Sequence, residues 1–214
     1  MRDNMWLGFA VAATILAGVF GFGWGNAVGV RVTEQKASAR EQASSLVEKR
    51  IMEFVLKRNP DATIRDFNDF PRILISESEA AGLDFRLVMA MIDKESQFNP
   101  RAVGKSGEIG LMQILPSTAA LVAKDMGIPF EAPKGTNLGT LGSPRLNLHI
   151  GIRFLKDRVD EFGGVNATAI RAYNRGSATA RAVRPWDRYA EDIALKYVTL
   201  ASYVPAADVK REAP

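Results

Sequence analysis

Apolar side chains recur every three or four residues over most of the chain from Pro71 onward, and Gly or Pro residues separate the runs. This spacing places the apolar groups of each run on one face of an α-helix. The clearest run lies between residues 146 and 162 and has the apolar stripe Leu148, Ile152, Leu155 and Val159. Alternation long enough for a β-strand is missing. The sequence therefore predicts a mainly α-helical domain.

Residues 99–112 depart from this helical pattern. They begin with Asn99-Pro100 and continue with Gly104, Gly107 and Gly110 at three-residue intervals. Closely spaced Gly and Pro residues mark turns rather than helices. We expect turns or a minor β-hairpin here, inserted between the helices of the domain.

Residues 1–30 are predicted to be an N-terminal membrane anchor. Met5–Val30 carries no charged side chain, and at about 1.5 Å per residue it is long enough to cross a hydrocarbon core of about 30 Å. The apolar region of a secretory signal is usually shorter, so an uncleaved transmembrane helix is favoured over a cleaved signal. Gly21, Gly25 and Gly29 recur every four residues, a spacing that favours close helix packing in an oligomer or envelope complex. Glycine is also common in membrane-spanning segments, so chance spacing is an equally good interpretation.

A charged segment separates this anchor from the helical domain. Residues 33–58 are rich in Glu, Gln, Ala, Lys and Arg, with apolar residues at helical spacing, and Asn59-Pro60 breaks the pattern. An amphipathic helical stalk is therefore predicted. We divide the chain into an anchor (1–30), a stalk or linker (31–70), a globular domain (71–204) and a C-terminal tail (205–214).

The residue inventory excludes several kinds of chemistry. The chain has no Cys and a single His, which rules out disulfides, thiolate metal sites, a Cys nucleophile and a His-rich metal site. His149 lies among apolar residues, which favours a structural role, and we expect no metal and no cofactor. The formal charge of +4 and pI of about 9.4 suit an anionic polymer or surface. No nucleic-acid motif accompanies that charge, so nucleic acid is not expected as a partner.

Residues 85–96 form an apolar helical run that ends in a carboxyl group. Glu95 shares one face of this helix with Val88 and Met91. A carboxyl group at the tip of a buried face is costly as an anion, so we expect the pKa of Glu95 to be raised, as a general acid requires. A structural salt bridge at a helix end gives the same local pattern.

Four segments resemble the motifs of the soluble-lytic-transglycosylase-type (SLT) domain family. Residues 91–103 (MIDKESQFNPRAV) resemble its catalytic motif, and residues 110–119 (GLMQILPSTA) resemble its second motif. Residues 147–151 (NLHIG) and 172–176 (AYNRG) resemble the third and fourth. All four occur in family order with ordinary family spacing and together span about residues 73–180. One motif alone would be weak support, whereas four in register are strong support.

The resemblance implies a lysozyme-like fold and cleavage of the β-1,4 bond between N-acetylmuramic acid and N-acetylglucosamine in peptidoglycan. It further implies that Glu95 is the only catalytic acid and base, and that the muramoyl C6 hydroxyl closes a 1,6-anhydro ring. Substrate-binding roles are implied for Ser96, Met112, Gln113, Tyr173 and Asn174. From sequence alone, a Ser96 hydroxyl bonded to its own backbone is an equally good interpretation, and a Met in an apolar run is usually part of the core.

Two positions differ from the family pattern, and a third leaves open whether Glu95 is the only catalytic carboxyl group. Arg175 stands where the family often has a small residue, and it adds charge beside the expected groove, where it would bind stem-peptide carboxylates or stay solvated. The segment that precedes a late tyrosine in larger relatives is absent, which argues against a helper role for Tyr189. Glu108 lies in the turn region, from which a second carboxylate could face Glu95.

Two alternatives to a lytic transglycosylase remain at this stage. A muramidase of the same fold would use water and give reducing ends, and a non-catalytic peptidoglycan-binding subunit would serve an envelope-spanning complex. An extracytoplasmic substrate places the domain in the periplasm and the short N-terminus in the cytoplasm. The Lys and Arg residues that follow the anchor favour the opposite orientation. Exo or endo action, the biological process and the oligomeric state are left open by the sequence.

Overall fold

The computed structural model of the chain describes residues 34–62, 67–182 and 187–206. The predicted anchor, with Gly21, Gly25 and Gly29, lies outside the described residues, and so does most of the predicted tail. Among the helices of the described ranges, none has the length and apolar character needed to cross a membrane.

The chain divides into two compact units, Met1–Leu46 with Asp208–Pro214, and Val47–Ala207. Residues 34–58 are helical (α1). Within the first unit, residues 34–46 of this helix are exposed to solvent. Within the second unit, Val47, Ile51 and Val55 lie one turn apart along α1 and are buried. The helix predicted over residues 33–58 is therefore present, and these three side chains contribute to the core of the second unit.

Helices account for most of the second unit, which confirms the mainly α-helical prediction. Four of them begin at a residue whose side chain accepts a backbone N–H bond from the first turn, the arrangement that starts helices most readily. These capping residues are Asp84, Ser143, Asn166 and Asp187. The helices after α1 are α2 (Phe70–Ala80), α3 (Phe85–Glu95), α4 (Pro116–Asp125), a 3-10 helix (Gly139–Gly142), α5 (Pro144–Glu161), α6 (Ala167–Arg175), α7 (Ser177–Ala182) and α8 (Arg188–Tyr203).

Helix α3 lies at the centre of the core. Every side chain from Val88 to Ile92 is completely buried, so this helix is covered on all sides rather than on a single face. It packs against α2 on one flank and most extensively against α8. Because α3 is buried from Leu87 to Asp93, its last residue, Glu95, emerges from the core at a fixed place.

The expected β-hairpin is not formed as a sheet. Within the described ranges no β-strand is present, and residues 103–114 contain only isolated antiparallel bridges, Val103 with Ile109 and Ile109 with Ile114. Gly107 and Gly110 adopt positive φ angles of 89° and 83°, which residues with a side chain rarely adopt. The chain turns at each of these glycines, so the isolated bridges do not extend into a ladder of consecutive paired residues. This segment is a turn-rich loop.

Candidate active site

The carboxyl group of Glu95 lies in a cavity of about 560 Å³. Glu95 is the last residue of α3, and the turn-rich loop, α4, α5 and α6 supply the walls. Side chains predicted from the motifs meet here although they are far apart in the sequence. The lining residues are Glu95, Gly104, Lys105, Glu108, Gln113, Ile114, Leu115, Thr118, Phe154, Tyr173, Asn174, Arg175 and Gly176.

The pKa of Glu95 is raised, mainly because burial disfavours its anion. A hydrogen bond from the Tyr189 hydroxyl acts in the opposite direction, and the negative charge of Glu108 raises the pKa further. The nearby ammonium group of Lys94 lowers it, as the smallest of these influences. Since burial outweighs both favourable contacts, this carboxyl group retains its proton at a higher pH than an ordinary Glu.

Tyr189 contacts the candidate acid directly, contrary to the expectation from sequence. It lies in the first turn of α8, is only 8% exposed, and its hydroxyl donates a hydrogen bond to Glu95 Oε1. Burial and the charge of Glu95 raise the pKa of Tyr189 well above its usual value, so the hydroxyl stays protonated and acts as a donor. The segment before it differs from the family pattern, which is why a helper role for Tyr189 was not expected. No local pattern around Tyr189 indicates this contact, which spans 94 positions in the chain.

Tyr173 borders the cavity from α6 and is almost fully buried. Its hydroxyl donates to the backbone oxygen of Met112 at 2.8 Å, and its ring packs on Phe154 with centroids 5.1 Å apart. Burial and the charge of Glu95 raise the pKa of Tyr173 well above normal. The hydroxyl is thus engaged with the backbone, and the ring is held rigidly beside the acid.

Gln113 lines the cavity, whereas Met112 does not. Gln113 adopts a positive φ of 47°, and its Nε2 donates to the backbone oxygens of Ala102 and Gly110 at 3.1 and 3.0 Å. Met112 is completely buried, and its side chain packs where a Cβ on Gly151 would have to stand. The side chain of Met112 therefore belongs to the core, and its backbone oxygen serves the site by accepting the Tyr173 bond.

Ser96 connects the end of α3 to the turn-rich loop. Its hydroxyl lies 2.8 Å from the backbone oxygen of Leu111 and 3.2 Å from that of Ile92. Two interpretations were left open for this hydroxyl, substrate binding and a bond to its own backbone, and the bonds observed are to backbone oxygens, one of them on its own helix. Ser96 fixes the loop that carries Gln113 relative to the helix that carries Glu95.

Asn147 is a supporting residue whose role the motif did not reveal. It is completely buried on α5. Its Oδ1 accepts the Met112 N–H at 2.9 Å, and its Nδ2 donates to the oxygens of Ile109 and Leu141 at 2.8 and 3.2 Å. Gly110 lies so close that a Cβ there would overlap the amide. A buried Asn among apolar residues was the available signal, because such a group needs several partners.

Polar and charged side chains surround the opening of the cavity. Asn174, Arg175 and Lys105 are exposed lining residues, and Arg175 Nε lies 3.8 Å from Asp187 Oδ2. Glu108 also lines the cavity, and its Oε2 accepts the Ser106 N–H at 3.0 Å. The site therefore contains one half-buried carboxyl group with a raised pKa, a second carboxylate, and two cations near the opening.

Comparisons with known proteins agree with this geometry. The profile of the Transglycosylase SLT domain family matches residues 72–194, more than half of the chain. The soluble lytic murein transglycosylase of Salmonella typhimurium is 36% identical over 94 residues, which cover 44% of this chain and 14% of that protein. The membrane-bound lytic murein transglycosylase C of Actinobacillus pleuropneumoniae is 34% identical over 119 residues, covering 50% of this chain and 31% of that protein.

A solved structure shows a related fold. The lytic transglycosylase Slt of Pseudomonas aeruginosa, in the form of an inactive Glu-to-Gln mutant, superimposes with a TM-score of 0.54. It is 26% identical, and the match covers 61% of this chain and 24% of that one. The chain thus spans less than a third of the length of each of these relatives.

Proposed function

The chain belongs to the Transglycosylase SLT domain family, and we propose that it is a peptidoglycan lytic transglycosylase. It would cleave the β-1,4 bond between N-acetylmuramic acid and N-acetylglucosamine without water and leave 1,6-anhydro-muramoyl ends. The observation that carries the proposal is the Glu95 carboxyl group, which lies in the cavity and whose pKa is raised by burial. The names of the relatives support the same substrate class.

Glu95 acts twice in this reaction. As a neutral acid it gives its proton to the glycosidic oxygen, and the bond to the muramoyl anomeric carbon breaks. As a carboxylate it then takes the proton of the muramoyl C6 hydroxyl, whose oxygen bonds to that carbon and closes the anhydro ring. One group can perform both steps when its pKa lies near the working pH. The Tyr189 hydroxyl occupies Oε1, which leaves Oε2 for the substrate.

The other cavity residues position the sugar. Gln113 and Asn174 offer amide groups suited to acetamido substituents, and the Tyr173 ring supplies a rigid wall next to the acid. Ser96 and the backbone of Met112 keep those groups in place. Arg175 and Lys105 at the opening suit the carboxylates of peptide-substituted strands.

The first test is to replace Glu95 by Gln. The amide retains the shape and can accept the Tyr189 bond, but it cannot transfer a proton, so we expect release of muropeptides to fall by at least about 100-fold. The control is Glu79→Gln, because Glu79 is exposed on α2 and does not line the cavity. Mass spectrometry of the products of the parent chain should show anhydro-muropeptides. Digestion by the Glu95→Gln protein at the parent rate would refute the assignment and favour a binding subunit.

The raised pKa of Glu95 predicts that the Glu95→Gln protein remains folded, so that a loss of activity reports on chemistry rather than on unfolding. Because folding raises this pKa, ionisation of Glu95 lowers the free energy of unfolding as the pH rises from the unfolded-state pKa to the folded-state pKa. The neutral amide avoids this cost. The variant should therefore unfold at pH 7 at a temperature no lower than the parent, with the difference shrinking below pH 4.

A muramidase is the second candidate, because Glu108 shares the cavity and its charge acts on Glu95. Hydrolytic glycosidases usually employ two carboxylates. Products that are exclusively hydrated, with reducing ends, would establish this alternative.

We further propose that residues 1–30 anchor the protein in the cytoplasmic membrane by a single pass, with residues 31–70 as stalk, 71–204 as catalytic domain and 205–214 as tail. The uncharged segment Met5–Val30 and the membrane-bound relative support this placement. The catalytic domain would then face the periplasm, where peptidoglycan lies.

A further inference from the structure

Three consecutive residues at the end of α3 each bond to α8. The bonding positions on α8 are separated by three and four residues, so they lie on one helix face. The last of the three pairs includes the proposed acid, and the other two are ion pairs whose N–O distances are both 2.5 Å. The pairs are Glu95 with Tyr189, Lys94 with Asp192 and Asp93 with Lys196.

Asp93 is the most deeply buried charged member of this series. It is 4% exposed, and its two oxygens have different partners: Oδ2 accepts from Lys196 Nζ, and Oδ1 accepts from Arg58 Nε at the end of α1. A buried carboxylate is costly unless it is paired. Breaking a buried pair usually costs far more than breaking an exposed one. The Arg58–Asp93–Lys196 triad therefore holds α8 against α3 more firmly than the exposed Lys94–Asp192 pair.

Two members of the triad lie outside the family domain. The family profile matches residues 72–194, whereas Arg58 precedes that range and Lys196 follows it. The hydroxyl of Tyr203 also bonds to Glu53 on α1 at 3.0 Å. The contacts that hold α8 in place thus come partly from a helix that the family domain does not include.

We propose that Asp93 is a positioning residue for the catalytic acid. Its ion pairs with Arg58 and Lys196 fix α8 in the register that places the Tyr189 hydroxyl on Glu95. Tyr189 lies seven residues before Lys196, about two helical turns along the same face. A small rotation or slide of α8 would move the Tyr189 hydroxyl away from Glu95 Oε1. The proposal rests on the assignment of Glu95 as the acid.

The test measures how strongly Tyr189 acts on Glu95, with and without the triad. The groups that face Glu95 are Tyr189 on α8, Tyr173 on α6, Glu108 on the loop, and Lys94 on its own helix. Tyr189 is the only one of these four that bonds to the carboxyl group. The carboxyl resonance of Glu95, identified by its absence in the Glu95→Gln protein, can be titrated by NMR without any activity measurement.

In the parent chain, Tyr189→Phe should raise the titration midpoint of Glu95, because the hydrogen bond that favours the anion is lost. In the Lys196→Met background the same Tyr189→Phe change should produce a much smaller shift, because the hydroxyl is no longer held on the carboxyl group. Lys196→Arg should restore the full shift. The matched control is Lys156→Met, which removes an exposed pair with Asp160 on α5 and should leave the shift as in the parent.

A full Tyr189→Phe shift in the Lys196→Met background would overturn the proposal, even if that variant unfolds at a lower temperature. The proposal would also be overturned if Tyr189→Phe left the Glu95 titration midpoint unchanged in the parent chain, because Tyr189 would then not act on Glu95. The parallel activity measurement should show kcat falling about tenfold in Lys196→Met with little change in KM. Failure of the proposed function is recognised separately, by the products and by Glu95→Gln, because the titration does not depend on turnover.

Discussion

Glu95 holds its proton to a higher pH than an ordinary glutamate because burial acts more strongly than the groups that favour its anion. The Tyr189 hydroxyl and the Lys94 ammonium group lower its pKa, and the Glu108 carboxylate raises it. Such opposing influences suit a group that must first donate and then accept a proton. They also make the pH dependence of the reaction sensitive to single neighbouring side chains.

Replacing Glu108 by Gln should lower the pKa of Glu95. The substitution removes a negative charge that disfavours the Glu95 anion, so the neutral acid is lost at a lower pH. The alkaline limb of the kcat/KM profile should shift to lower pH, and the products should remain anhydro-muropeptides. The control is Glu131→Gln, since Glu131 is exposed and does not line the cavity.

If Glu108→Gln abolished turnover at every pH, Glu108 would be a reacting group rather than an electrostatic neighbour. That result, together with hydrated products in the parent chain, would favour the muramidase alternative over the transglycosylase.

Motif resemblance predicted four of the residues that line the cavity, because Glu95, Gln113, Tyr173 and Asn174 belong to the motifs themselves. Tyr189 was missed because its contact spans 94 positions in the chain, and no local pattern encodes such a pairing. Met112 illustrates a second limit. Its motif position is next to Gln113, but a left-handed backbone at Gln113 turns the two side chains to different environments.

At the level of elements, α3 was predictable and the loop after it was not. An apolar run capped by Asp84 determines a helix almost alone. Residues 103–114 depend also on a partner elsewhere, since the Met112 N–H and the Ile109 oxygen bond to Asn147 on α5. Glycine spacing indicates where the chain turns, but whether the turns form a ladder is decided by these distant bonds. The hairpin prediction failed for this reason.

Asn147→Ala should therefore affect both stability and substrate binding. It leaves the Met112 N–H and the oxygens of Ile109 and Leu141 without their buried partner, and we expect the free energy of unfolding to fall by about 2–4 kcal/mol. The loosened loop carries Gln113, so KM should rise in the fraction that remains folded. Denaturant unfolding and steady-state kinetics below the unfolding midpoint measure the two effects.

Asn137→Ala is the matched control for that experiment. Asn137 is exposed, and its side chain accepts the Gly139 N–H in a surface turn, so loss of that side chain should change stability by less than about 1 kcal/mol. Equal effects of the two substitutions would mean that Asn147 does not support the loop.

At the level of the whole molecule, the folding unit is larger than the family domain. The compact unit extends from Val47 to Ala207, whereas the family match covers residues 72–194. Core side chains lie on both extensions, such as Ile51 on α1 and Leu200 on α8. A fragment restricted to the matched residues would lose these contacts and the Arg58–Asp93–Lys196 triad, so residues 47–58 of α1 belong to the folding unit.

The proposed orientation in the membrane opposes a local charge rule. Arg31, Lys36 and Arg40 follow the uncharged segment, and Lys and Arg residues normally stay on the cytoplasmic side. Acidic residues also occur in this stalk, but they contribute little to orientation. A peptidoglycan substrate nevertheless requires a periplasmic domain. We therefore expect the domain to lie in the periplasm, despite the positive charges that follow the uncharged segment.

Protease treatment of spheroplasts that express the full chain tests this orientation. We expect the domain to be digested while the membrane is intact, because its exposed helices would face the medium, and a cytoplasmic protein should stay protected as the control. Alkaline extraction should leave the undigested chain in the membrane pellet, whereas a variant lacking residues 5–30 and exported by a cleavable signal should be soluble. Complete protection of the domain until detergent is added would place it in the cytoplasm, away from peptidoglycan, and would contradict both the topology and the proposed substrate.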